Sequence, residues 1–179
     1  MCRLHNTNNE IGPKVALDAF RLPKNVVPTD YNITRIGACA VHELAHNLRS
    51  PNIDTGFNLA EWVIHEGLAE VFTVEVCGAD STGAWYADVT GPELDAAFEK
   101  VTGAFDTGSG FAEWTPYVLG DLVAERIGVR PVGVPHMGGY AVGRRIVERY
   151  LEATGLKAAQ AIVRPVSEIL EVAGPPARR

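Results

Sequence analysis

Ala40-Val41-His42-Glu43-Leu44-Ala45-His46-Asn47-Leu48 is the stretch that decides how this chain is read. It carries two histidines four positions apart with a glutamate beside the first, the H-E-x-x-H pattern. On an α-helix, residues i and i+4 lie one turn apart on the same face. His42 and His46 can then offer imidazole nitrogens to a single metal ion. Glu43 falls about 100° further round, at 3.6 residues per turn. It stands beside such an ion without being directed at it, where a base acting on a water molecule belongs. The sequence predicts a helix from about Ile33 to Arg49, with Asn32 or Asp30 as its cap and Ser50-Pro51 as its stop.

A catalytic zinc takes three protein ligands and keeps one position open. The segment Glu61-Trp62-Val63-Ile64-His65-Glu66-Gly67-Leu68-Ala69-Glu70 reads as a second helix. Asn58 is its N-cap and Glu61 its third residue, a variant of the capping box, and Gly78 after Cys77 is its stop. Nineteen residues separate His46 from Glu66. That is enough to end one helix, turn, and run two turns into an antiparallel one. Leu59, Trp62, Ala69, Val71, Phe72 and Val76 make this helix apolar around most of its circumference, as in a helix buried mid-domain. Glutamates are costly in such surroundings unless paired or metal-bound. Glu66 is therefore the candidate third ligand. Glu70, one turn on, is placed to accept the second ring N–H of a ligating histidine. H-E-x-x-H followed by a glutamate on a later helix is the pattern of gluzincin metallopeptidases. The metzincin pattern is excluded, because Arg49 and Asn52 stand where it requires glycine and a third histidine.

The 179 residues suffice for one domain with a real core. A net charge of −6 argues against nucleic acid or an anionic membrane as the main partner. Cys2, Cys39 and Cys77 are odd in number and widely spaced, so they form neither a disulfide framework nor a C-x-x-C zinc site. This fits a reducing, cytoplasmic location. Cys39 is expected to be a small buried hydrophobe. No apolar run reaches membrane-spanning length, and Met1–Asn6 carries no hydrophobic segment of signal-peptide type.

Outside the two central helices, Lys14–Phe20 reads as a short strand bounded by Pro23 and Pro28. Further helices are predicted over Pro92–Val101, from about Trp114 to Ile127, and from Gly138 or Gly139 to about Ala153. A last helical segment, Leu156–Val172, is broken near Pro165. Residues 1–12 and 174–179 are expected to be flexible ends of a single domain spanning 1–179. The fold class is mainly α (α+β).

Three segments together resemble a known group: His42-Glu-Leu-Ala-His46, Ile64-His-Glu-Gly-Leu-Ala-Glu70, and Pro135-His-Met-Gly-Gly-Tyr140-Ala-Val-Gly143-Arg-Arg-Ile-Val147. They are similar to the bacterial predicted Zn-dependent protease family, the YjaZ-like domain of unknown function, over about Ile33 to Leu170. The resemblance implies a zincin-like helical domain, Zn2+, and proteolysis of a peptide or protein substrate. Carried over by position, it makes His42, His46 and Glu66 the ligands and Glu43 the base. A donor is also needed for the oxyanion that develops during hydrolysis. Tyr140 and His136 are the candidates, and the G-Y-x-x-G context selects Tyr140. About 32 residues precede the first helix, so the N-terminal sheet expected of a gluzincin is short or truncated. Lys14–Phe20 is its one clear edge for a substrate added as a strand. His65 points about 100° away from Glu66, which suits a structural or exposed role.

Three functions compete. A zinc metallopeptidase is preferred. A zinc-stabilised regulatory or interaction domain without catalysis is favoured by the short N-terminus. A helical interaction protein without metal leaves His42, Glu43, His46, Glu66 and Glu70 as coincidence.

Overall fold

The most apolar helix of the sequence lies at the centre of the molecule, because only a position surrounded by other elements buries a helix that is apolar on nearly every side. A computed structural model describes residues 30–175 apart from 54, 55, 57, 84 and 109, with side chains from residue 35 onward. Among the described residues the helices are α1 (Asp30–Arg49), α2 (Leu59–Cys77), α3 (Gly91–Gly103), α4 (Phe111–Val118), α5 (Asp121–Arg126), α6 (Gly138–Thr154), α7 (Ala158–Ala161) and α8 (Val166–Ala173), with a 3-10 turn at Ala79–Ser81. The protein is mainly helical, and no strand occurs among the described residues. The strand expected at Lys14–Phe20, and with it the small N-terminal sheet, lies outside them. No described helix is long and apolar enough to cross a membrane.

Helix α2 packs against α1, α4, α6, α7 and α8. Leu59, Val63, Ile64 and Leu68 from α2 meet Val142, Ile146, Val147 and Tyr150 from α6 in the main core, all at 1 % exposure or less. Each such aliphatic side chain stabilises the fold by about 1.5–3 kcal/mol relative to an exposed one. The start of α2 is capped by Asn58, whose side chain accepts from the Glu61 amide at 2.9 Å. Only this half of the capping box forms: the Glu61 carboxylate turns instead toward Arg49, 3.9 Å away. Gly78, at φ 90°, ends the helix and donates its N–H to the Val74 carbonyl.

The crossing of α2 and α6 is made by two glycines from the sequence motifs. A Cβ on Gly67 would lie 2.3 Å from the Gly143 carbonyl carbon, and one on Gly143 would lie 2.1 Å from the Val63 oxygen. Backbone approaches backbone here, so no side chain fits between them. This contact brings Tyr140, one turn before Gly143, toward the Glu66 turn of α2.

Helix α1 lies antiparallel to α2, since Arg49 faces Glu61, His46 faces Glu66 and His42 faces Glu70. It is anchored by Ala45, packed with Ala69, Phe72 and Ile162, and by Arg49. The Arg49 guanidinium is 1 % exposed, and its Nη1 donates to the carbonyls of Ile162 (2.6 Å) and Arg164 (2.8 Å). The position that rules out a metzincin thus holds a buried strut between α1 and the turn preceding α8.

Two expectations are corrected. Cys39 is exposed rather than buried: it lies on the His42 side of α1 but one turn earlier, toward the end of α2, where Glu75, Val76 and Cys77 are exposed too. The single helix expected from Trp114 to Ile127 is two, α4 and α5, parted at Gly120. That residue sits at φ 82°, and a Cβ there would meet the Pro135 oxygen at 2.1 Å. The chain turns at Gly120 because the loop before α6 passes against it, and the Asp121 carboxylate then accepts from the amides of Val132 and Gly133.

Candidate metal centre

The two histidines of α1 and the first glutamate of the α2 motif converge. His42 Nε2 lies 3.0 Å from His46 Nε2 and 3.2 Å from Glu66 Oε2, and His46 Nε2 lies 3.4 Å from the same oxygen. Ligands about 2.0–2.1 Å from a tetrahedral zinc stand roughly 3.3–3.4 Å from one another. One nitrogen from each ring and one carboxylate oxygen therefore fit a single ion. His42, His46 and Glu66 form the metal-capable cluster of the described residues. Two imidazoles and a carboxylate also match the chemical preference of zinc.

The electrostatics of the cluster follow from its crowding. Burial alone would lower the pKa of His42. The hydrogen bond to Glu66, the contact with Glu70 and both carboxylate charges outweigh it and raise the group to about 10. Burial would likewise raise Glu66, but its contacts with His42 and His46 hold it well below the usual carboxylate range.

Glu70 is 1 % exposed, and its two oxygens have different neighbours. Oε2 accepts from the Tyr86 hydroxyl at 2.8 Å. Oε1 lies 3.2 Å from His42 Nδ1, at ion-pair distance though not aligned as a hydrogen bond. Tyr86 is itself buried, and its oxygen accepts from Arg144 Nη1 at 3.3 Å. Burial and the Glu70 charge hold the Tyr86 phenol well above its ordinary pKa, so it remains a donor.

Tyr140 stands over the site with its ring 6.4 Å from that of His42. Burial, then the charge of Glu66 and a hydrogen bond to it, then the charges of Glu70 and Glu43, keep its phenol protonated well above the usual range. Glu43 is exposed on α1, and its charge reaches the Tyr140 hydroxyl. His136 is exposed in the turn before α6. His65 is half-buried and stacks face to face on His46 with ring centroids 4.1 Å apart. Burial, reinforced by the nearby His46, pushes it down to about 3, so it is a neutral wall for the His46 ring.

The structure thus gathers His42, His46, Glu66, Glu70 and Tyr140 in one place, with Glu43 at its rim. Tyr86 and Arg144 were not legible as part of it. Tyr86 sits in a loop, where no periodicity tells which helix it meets. Gly67 and Gly143 did carry a signal, as the small residues inside the two motifs that meet at the α2–α6 crossing.

What these features define is a helical protein with a two-histidine, one-carboxylate cluster suited to a metal. Residues 23–171 match the family described as "Predicted Zn-dependent protease (DUF2268)". The chain belongs to that family. It is 32% identical over 127 residues to the uncharacterized protein YjfC of Bacillus subtilis (strain 168), a match covering 69% of this chain and 42% of the relative. It is 27% identical over 146 residues to the uncharacterized protein YjaZ of the same organism, covering 80% of this chain and 52% of the relative. The chain thus spans about half the length of the curated relatives it matches. No solved structure matches it.

Proposed function

We propose that this protein is a zinc-dependent peptidase of gluzincin type, acting on a peptide or protein substrate. The observation that carries the reading is the convergence of His42 Nε2, His46 Nε2 and Glu66 Oε2 within 3.4 Å of one another, with Glu43 on the adjoining surface of α1. The family description supports the same chemistry. His42, His46 and Glu66 hold the ion, and Glu70 orients His42 through Nδ1. Zinc, when bound, supplies a Lewis acid for the scissile carbonyl and lowers the pKa of an attacking water. Glu43 accepts a proton from that water and passes it to the leaving amine. The Tyr140 hydroxyl, kept protonated by its surroundings, donates to the developing oxyanion. The acidic net charge of −6 disfavours nucleic acid as substrate, and the cysteine pattern fits a cytoplasmic location.

Elemental analysis and a peptide library test this together. Wild type is expected to bind one zinc per chain, lost on His42→Ala, His46→Ala or Glu66→Ala. Glu43→Gln is expected to keep the zinc and lose hydrolysis, since an amide cannot take the proton. Absence of stoichiometric zinc after reconstitution would falsify the metal site. Zinc-loaded wild type that cleaves nothing in a broad library would replace the peptidase with a non-catalytic zinc-binding domain of the same fold.

A further inference from the structure

We infer that Tyr86 and Arg144 are positioning residues for the metal centre, acting on His42 through Glu70. The inference rests on the metal reading above and extends it by two residues to which no role has been assigned.

A guanidinium has donors only, and an ionised carboxylate has acceptors only. Arg144 Nη1 lies 3.3 Å from the Tyr86 oxygen and so occupies an acceptor position there, while its 3.2 Å contact with Thr82 Oγ1 holds it in place. The Tyr86 hydroxyl hydrogen is then left to Glu70 Oε2, 2.8 Å away. With Oε2 held, the carboxylate is turned so that Oε1 faces His42 Nδ1. Because Oε1 can only accept, a neutral, metal-binding ring would carry its hydrogen on Nδ1 and keep its Nε2 lone pair for the ion that His46 and Glu66 would share. Direction passes from Arg144 to Tyr86 to Glu70 to His42.

Burial gives this series its force. Glu70 is 1 % and Tyr86 3 % exposed, so little water is at hand to replace a lost donor at Oε2. Arg144 keeps its side chain partly open to solvent at 25 %, where Nε also donates to Glu148 at 2.7 Å. Tyr86 comes from the loop between α2 and α3, Arg144 from α6 and Glu70 from α2. The series therefore ties the orientation of a metal ligand to the packing of three separate segments.

The test is zinc affinity by chelator competition, with the visible spectrum of the cobalt-substituted protein as a second measure of site geometry. Tyr86→Phe keeps the ring and removes the hydroxyl, and is expected to weaken zinc binding about tenfold, the lower end for outer-shell partners. Arg144→Met keeps the stem and removes the donors, with a smaller loss expected in the same direction. Both variants are expected to alter the cobalt spectrum. In a Glu70→Ala background, Tyr86→Phe is expected to cause less than about a twofold further loss, because the two act as one unit.

Wild type that binds no zinc overturns the metal reading and this inference with it. Wild type that binds zinc, with Tyr86→Phe binding equally and giving the wild-type cobalt spectrum, overturns this inference alone. The same tenfold loss in the Glu70→Ala background overturns it too, since Tyr86 would then act by another route. If Tyr86→Phe does not fold, Arg144→Met decides: unchanged affinity and spectrum refute the series, and a loss of both supports it.

Discussion

Replacing Gly143 by alanine puts one methyl group into the closest backbone contact of the α2–α6 crossing. The new Cβ would stand 2.1 Å from the Val63 oxygen and 3.1 Å from the Gly67 Cα. A carbon–oxygen contact relaxes at about 3.3 Å, so the helices must separate locally by about 1.2 Å. The neighbour is backbone and cannot swing aside as a side chain would. Overpacking of this kind costs about 1–3 kcal/mol, and the backbone partner places it near the top of that range. Alanine returns about 1 kcal/mol through its higher helix propensity. The net expectation is a loss of about 2 kcal/mol, which lowers Tm by roughly 4–8 °C for a domain of this size. Gly37→Ala is the matched control. Gly37 is exposed within α1, and a Cβ there meets nothing within 4 Å. Only the propensity gain of about 0.5–1 kcal/mol remains, so Tm is expected to rise slightly. Both variants are read by thermal unfolding of the metal-free protein. Gly143→Ala unfolding at or above the wild-type temperature would show that the two helices do not approach this closely, and would undo the placement of Tyr140 over Glu66.

Tyr140→Phe is expected to keep its zinc and to lose roughly 10²–10³ in turnover if the hydroxyl is the main oxyanion donor; full activity in the variant assigns that role elsewhere. Zinc binding should be strongly pH-dependent. With His42 raised to about 10 in the metal-free protein, binding at neutral pH must displace a proton, so apparent affinity should rise about tenfold per pH unit between 7 and 9 in a chelator competition. A flat profile there rejects the protonated cluster. The same pair sets the stability of the metal-free protein. His42 has a raised folded pKa, so its contribution is complete below the ordinary 6.5 and is lost as pH climbs toward about 10. Glu66 has a depressed one, so its contribution is present above the ordinary 4.5 and is lost as pH falls. Denaturant titrations should therefore find the pair at full strength between pH 4.5 and 6.5, and a maximum well above that window contradicts it.

The sequence by itself determined the helical groups of the candidate site, His42, Glu43, His46, Glu66 and Glu70, and how they are spaced along each helix. His42, Glu43 and His46 are related by helical periodicity alone, and so are Glu66 and Glu70, because a regular backbone converts spacing into direction without help from the rest of the chain. The ends of α2 were legible for the same reason: Asn58 and Gly78 act on neighbouring backbone groups. Only the tertiary structure decided which glutamate faces which histidine, since that depends on the register of α1 on α2, fixed by Ala45 against Ala69 and by Arg49 anchored to the carbonyls of Ile162 and Arg164. It alone made His65 a stacking partner of His46, exposed Cys39, and broke the helix at Gly120 against the loop before α6. It alone brought Tyr86 from its loop onto Glu70 and Arg144 onto Tyr86. Those contacts join residues 16 and 58 positions apart, and no local pattern records a distance that only packed helices create.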